Sequence, residues 1–126
     1  MHTKNRWVLL EHRGDPTDSQ GIHFDLLLED GAACRSWRLK EIPIIDGPAI
    51  EANPLPVHRL NWLEIKASAV SGGRGWAKRL KSGFFKGSLP RDKAAPIELL
   101  LNGNDLEGNL RIHNQICQIN SITQDD

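Results

Sequence analysis

Cysteine is scarce in this chain of 126 residues: Cys34 and Cys117 are the only two, far apart in sequence. That scarcity excludes a disulfide framework, and the spacing fits neither a thiolate metal site nor a redox pair. Long apolar runs are missing as well. Nothing approaches the ~20 residues needed to cross a bilayer, and no apolar export-type segment follows the opening MHTKNRWVLL. Reduced thiols without an export signal make a cytoplasmic protein the expectation. Net charge is absent too, with 16 basic residues against 16 acidic ones, so no global polarity announces a nucleic-acid or membrane binder. No internal repeat, low-complexity linker or amphipathic helix of ten or more residues is visible, which argues against a repeat array or a helical fold.

What is present is ordinary globular material. Hydrophobic residues make up 39% and charged residues 25%, which sets disorder aside. The length suits one domain, residues 1–126, with a core that needs no metal or disulfide staple. The charges are unevenly placed. Between Arg59 and Arg91 lie Lys66, Arg74, Lys78, Arg79, Lys81 and Lys86, with Glu64 the lone acid. Acidic residues crowd instead into Glu11–Glu51 and the C-terminal end. A basic middle third is either a patch that meets phosphates or a plain solvated surface, and charge counting alone favours the second.

The elements legible in the chain are short strands broken by turn residues. RWVLLEH is apolar and extended, RGDPTDSQG is a loop, and IHFDLLLE and CRSWRL are the next two strands. Lys40–Pro56 holds four prolines and is expected to be irregular, with short extended pieces. HRLNWLEIKA alternates like a strand. WAKRLKSGFFKG fits either a helical spacing or a hairpin, and IELLLNGNDLEGNLRIHNQICQI offers strands around its Asn-Gly and Glu-Gly turns. Many short strands with frequent turns predict a mainly β chain, a compact closed or partly open barrel with little helix. Closure would also hide the sheet edges.

The second strand, GIHFDLLLED, carries the chemical interest. In extended backbone Ile22, Phe24, Leu26 and Leu28 share one face, and His23, Asp25, Leu27 and Glu29 share the other. An apolar core face thus backs onto an imidazole and a carboxylate. His12, His23, Asp25 and His58 form the candidate set; His2 lies at the terminus and His113 reads as a surface residue. Two imidazoles and one carboxylate can hold a divalent first-row cation with positions left for substrate. Hydrogen-bonded strand histidines are the competing reading, and no HxH or HxxxH spacing decides between the two.

The landmarks RWVLLEH, HFDLLLE, Ser36-Trp37, His58-Arg59-Leu60, VSGGRG with the basic stretch and SGFF after it, and LNGNDLEG occur in that order. In this order the chain resembles the 3′-phosphoesterase domain of bacterial DNA ligase D, also called the DNA polymerase-ligase N-terminal domain, from about Arg6 to His113. The resemblance implies a β-barrel that removes a 3′-terminal ribonucleoside or phosphate from a DNA primer strand using Mn²⁺. His12, His23 and Asp25 match its metal-binding positions. His58 matches a further active-site histidine, so His58, His12 and His23 are the expected catalytic residues. The implied partner is the 3′ end of a primer-template DNA, with any polymerase or ligase a separate protein, no membrane, and a monomeric state.

Three positions depart from that pattern. Leu27 stands where the family has an arginine, Trp62 where it has a tyrosine, and the ten residues RGDPTDSQGI between His12 and His23 make a longer connection. Leucine cannot supply a bidentate phosphate clamp. Arg74 in the glycine-rich turn is the first replacement candidate, with a plain tight turn as the equal alternative, and Arg38 is the second. Trp37 and Trp62 suit stacking on an unpaired base or simple packing, the commoner fate of tryptophan. Asp15 and Asp18 in the longer loop offer an extra oxygen ligand or cap turns. The departures keep a second hypothesis open, a nucleic-acid-binding or scaffold module of the same fold with weakened catalysis. An esterase for a different phosphate substrate is a third.

Overall fold

The computed structural model describes residues 5–16, 21–103 and 106–122. Among these residues nine strands follow one another: β1 (Arg6–Arg13), β2 (Ile22–Asp30), β3 (Ala33–Leu39), β4 (Ile50–His58), β5 (Ala67–Ala69), β6 (Trp76–Lys86), β7 (Ile97–Gly103), β8 (Gly108–His113) and β9 (Ile116–Asn120). Among the described residues a single 3-10 turn, Leu60–Leu63, sits between β4 and β5. The sheet runs β1-β2-β3-β4-β9-β8-β7-β6, and β6 pairs back onto β1. Eight antiparallel strands therefore close a barrel, with β5 attached outside along β6. The mainly β barrel expected from the short strands is the architecture found.

Period-two patterning drives the closure. Trp7, Leu9, Leu26, Leu28, Trp37 and Leu39 alternate inward from β1, β2 and β3 and meet Ile97, Leu99, Leu101, Leu110 and Ile119 from the far wall. Each such side chain contributes roughly 1.5–3 kcal/mol by leaving water. The Trp7 indole N–H donates to the Phe84 carbonyl at 3.1 Å, tying β1 to β6 at the seam. Where β6 crosses β7, Gly83 pairs with Gly103, and a Cβ on Gly83 would overlap the Asn102 carbonyl. Only glycine permits that approach.

The opposite face of the same strands is not left to solvent. Val8, Leu10, Leu27 and Cys34 are buried beneath Leu63, with Leu60 and Trp62 packed against them. Excursion 59–75, comprising the 3-10 turn, β5 and the glycine-rich turn, forms one wall of a cleft over the barrel's outer face.

Several local expectations change. The strand β4 runs through Pro54 and Pro56, where an irregular stretch was expected. Its β9 edge pairs only at Ile50 and Glu51, so the prolines forfeit no ladder donor on that side. HRLNWLEIKA is not a strand. Leu60 and Leu63, three apart, eclipse on one face of the 3-10 turn and dock on the outer cluster. WAKRLKSGFFKG lies entirely within β6 and the residue after it, as a strand rather than a helix or hairpin. His2, Asp18 and the Asn104-Asp105 part of the turn lie outside the described residues.

Candidate metal centre and its cleft

Register places the chemistry. His12 pairs with His23 across β1 and β2; two residues along, Leu10 pairs with Asp25, and Asp25 with Arg38 of β3. Same-face neighbours on adjacent strands are in contact range, so the outer wall brings both imidazoles and the carboxylate together. His23 Nε2 lies 2.8 Å from His12 Nδ1. Asp25 places Oδ2 3.7 Å from His12 Nδ1 and Oδ1 3.7 Å from His23 Nε2. All three residues are buried, at 6%, 5% and 4% exposure, so their mutual contacts are little weakened by water.

His12 has its other nitrogen fixed from outside the sheet. Nε2–H donates to the Arg74 carbonyl at 2.5 Å, which leaves Nδ1 to face His23 and Asp25. A carbonyl that sets the tautomer in this way is the common companion of a metal-bound imidazole. The glycines make the contact possible. Gly75 has φ +91°, and a Cβ there would overlap the Arg13 carbonyl, so the turn packs directly on the end of β1. The close contact with Asp25 raises the pKa of His12 against the opposing effect of burial; the Arg74 carbonyl and the charges of Asp25 and Asp15 add to the rise.

These donors fit a divalent first-row cation. Bonds near 2.1 Å at angles of 90–109° imply donor separations of roughly 3.0–3.4 Å, and the observed 2.8 Å and 3.7 Å bracket that range. Imidazole with carboxylate suits Mn²⁺, Fe²⁺ or Zn²⁺. His12, Asp15 and His23 also present one ligand atom each within 4.8 Å of one another. Asp15 is thus brought to the cluster, a position that loop chemistry alone gave no reason to prefer over turn capping.

The cleft of about 610 Å³ beside this cluster is lined by His12, Asp25, Arg38, His58, Trp62 and Arg74 among others. His58 closes β4, and its Nδ1 lies 2.8 Å from Ser36 Oγ and 3.1 Å from the Pro56 carbonyl. The carbonyl favours a proton on Nδ1 and so leaves Nε2 as the ring's acceptor. Burial lowers the His58 pKa, outweighing the attraction of Asp25. Ser36, buried and bonded to the Pro56 carbonyl at 2.9 Å, anchors that ring. Its place on the same face as Arg38, two residues on, was the available sequence signal.

The two arginine side chains meet different partners. Arg74 turns its guanidinium back on its own loop, with Nε donating to the Ser71 carbonyl at 2.8 Å and Nη2 to Ser71 Oγ at 3.3 Å. Its backbone, rather than its charge, touches the cluster. Arg38 instead points at the acids, 3.5 Å from Asp25 and 3.9 Å from Asp15, with 32% of its side chain exposed to the cleft side. Trp62 is half-buried on the rim. Trp37 is in the barrel core with Arg35 over its ring, so it has no place in the cleft. Leu27 is fully buried in the outer apolar cluster. Compared with known proteins, the chain matches no family model and no curated sequence.

Proposed function

We propose that this protein is a divalent-metal-dependent phosphoesterase that trims 3′-terminal ribonucleosides or phosphates from DNA ends. The observation that carries the reading is the convergence of His12 Nδ1, His23 Nε2 and the Asp25 carboxylate beside a cleft that also holds Arg38 and His58. The resemblance to the ligase D phosphoesterase domain names the substrate class, and the closed barrel agrees with it.

A cation such as Mn²⁺ held by His12, His23 and Asp25 would polarise a phosphoryl oxygen and lower the pKa of a water. The chain's own groups supply the rest. Arg38, on the row of Asp25, meets the negative phosphate oxygens in place of the absent arginine at Leu27. Nε2 of His58 takes a proton from the attacking water and returns it to the leaving oxygen as the phosphorus–oxygen bond breaks, O5′ of a terminal ribonucleoside or O3′ of the primer when a 3′-phosphate is removed. Burial lowers the pKa of His58, which favours the neutral, proton-accepting ring. Trp62 offers an aromatic wall to the terminal base.

Incubation with Mn²⁺ and a primer-template bearing one 3′-ribonucleotide or a 3′-phosphate tests this directly. Shortened or dephosphorylated primer from the wild type, and none from His23→Ala, is the expected result. Burial of Leu27 in an apolar cluster favours a second reading, a binding module without turnover. That module would retain the primer in a salt-sensitive complex and release no product with Mn²⁺, Mg²⁺, Zn²⁺ or Co²⁺.

A further inference from the structure

Asp15 occupies an unusual place for a loop carboxylate. It follows β1 in a connection of the kind that normally runs through solvent, yet it is only 8% exposed. Burying a carboxylate is costly unless charges or a cation compensate it. The backbone holds it there by several means. Gly14 takes φ +77°, and its N–H donates to the Gly21 carbonyl at 3.1 Å, pinching the loop shut at its base. The Gly14 backbone also sits against Gly75, the glycine that seats the Arg74 carbonyl on His12. Pro16 follows directly, and a residue before proline is confined to extended conformations. Asp15 is therefore positioned before any ligand arrives.

Its carboxylate joins the imidazole pair from the loop that follows β1. One oxygen of Asp15 and one nitrogen each of His12 and His23 lie within 4.8 Å of one another. Asp25 approaches His12 Nδ1 and His23 Nε2 at 3.7 Å each from within the sheet. Arg38 contacts both acids, at 3.9 Å and 3.5 Å, which shows that the two carboxylates face a common space.

From this arrangement we propose that Asp15 is a fourth metal ligand, giving a two-histidine, two-carboxylate centre in which one ligand comes from the β1–β2 loop. The inference rests on the metal-dependent reading above and specifies its coordination. A second oxygen donor shifts the set towards harder cations, Mn²⁺ or Fe²⁺, and away from soft ones. It also neutralises a divalent charge in full, so the net positive charge offered to a phosphate would come from Arg38. The longer connection between His12 and His23 then has a purpose: it supplies Asp15 as a ligand.

Calorimetric titration of Mn²⁺ alone into the folded protein tests the assignment without reference to turnover. The wild type should bind one ion, and Asp15→Asn should weaken binding by about ten- to a hundredfold. Because Asp15 also pairs with Arg38, the titration is repeated with Arg38→Gln and with the double variant. A ligand role predicts the same loss on Asp15→Asn whether or not Arg38 is present. Equal affinity of the wild type and Asp15→Asn would overturn the inference and leave the three-residue site standing, as would a loss that vanishes in the Arg38→Gln background. Should Asp15→Asn fail to fold, Asp15→Glu, which keeps the charge on a longer arm, must show altered affinity; unchanged binding would overturn the inference. A wild type that binds no divalent cation would defeat the metal reading itself.

Discussion

His12 and His23 face each other across β1 and β2 with Nδ1 and Nε2 2.8 Å apart. At that separation the two nitrogens share a proton or a cation, and the two compete. The contact with Asp25 raises the pKa of His12, so its charged form is favoured by folding. Without metal, the stability this contributes is full below the ordinary value of 6.5 and fades as pH rises through the raised one. A metal requires the neutral ring, so its affinity moves in the opposite sense. Mn²⁺ affinity should therefore climb steadily between about pH 5.5 and 8, measured by calorimetry. An affinity indifferent to pH over that interval speaks against imidazole ligation.

Leu27 separates two uses of one strand position. It is fully buried among Val8, Leu10, Cys34 and Leu63. Leu27→Arg should not restore a phosphate clamp; it should destabilise the fold by about 3–5 kcal/mol, because an unpaired guanidinium would be buried there. Urea unfolding gives the value. A variant as stable as the wild type would show that the excursion opens readily over this face.

Arg38 and Arg74 should behave differently when neutralised. Arg38→Gln removes the guanidinium nearest the acids and should raise KM for phosphorylated primers about tenfold or more, in line with the 1.5–3 kcal/mol of a charged hydrogen bond. Arg74→Gln keeps the carbonyl that holds His12 and should change KM only about twofold. Steady-state kinetics on 3′-phosphate primers separates them, and a larger loss at Arg74 would reverse the assignment.

Acid should loosen the barrel at a defined pair. Arg6 makes paired contacts to Glu29, Nε to Oε1 at 3.0 Å and Nη2 to Oε2 at 3.1 Å, with its backbone N–H also donating to Oε1. These bonds hold the Glu29 pKa below its usual 4.5. The stability they contribute is present above 4.5 and is lost as pH falls through the lowered value. Glu29→Gln should cost about 1 kcal/mol at neutral pH and flatten that acid limb in thermal melts. An unchanged acid limb would place the lability elsewhere.

The strands were legible because alternation is a local property. In GIHFDLLLED the spacing alone separates Phe24, Leu26 and Leu28 from His23 and Asp25, and the barrel uses that division. The covering of the outer face was not legible. Leu27 looks the same whether it meets solvent or Leu63, and only a long-range contact decides. Proline in NPLP argued against a strand, but β4 tolerates it where its second edge is unpaired. HRLNWLEIKA satisfied a period of two by coincidence while Leu60 and Leu63 satisfied a period of three. Within the site, side-chain types pointed to His12, His23, Asp25 and His58. The Arg74 contribution was hidden because a carbonyl oxygen is common to every residue.

Anomalous diffraction from a crystal soaked in Mn²⁺ puts the metal centre to its plainest trial. A single peak should appear at bonds of roughly 2.0–2.3 Å from His12 Nδ1, His23 Nε2 and an Asp25 oxygen. A crystal with no peak between those residues, or with Mn²⁺ seated only on surface carboxylates, would contradict the site on which the proposed chemistry depends.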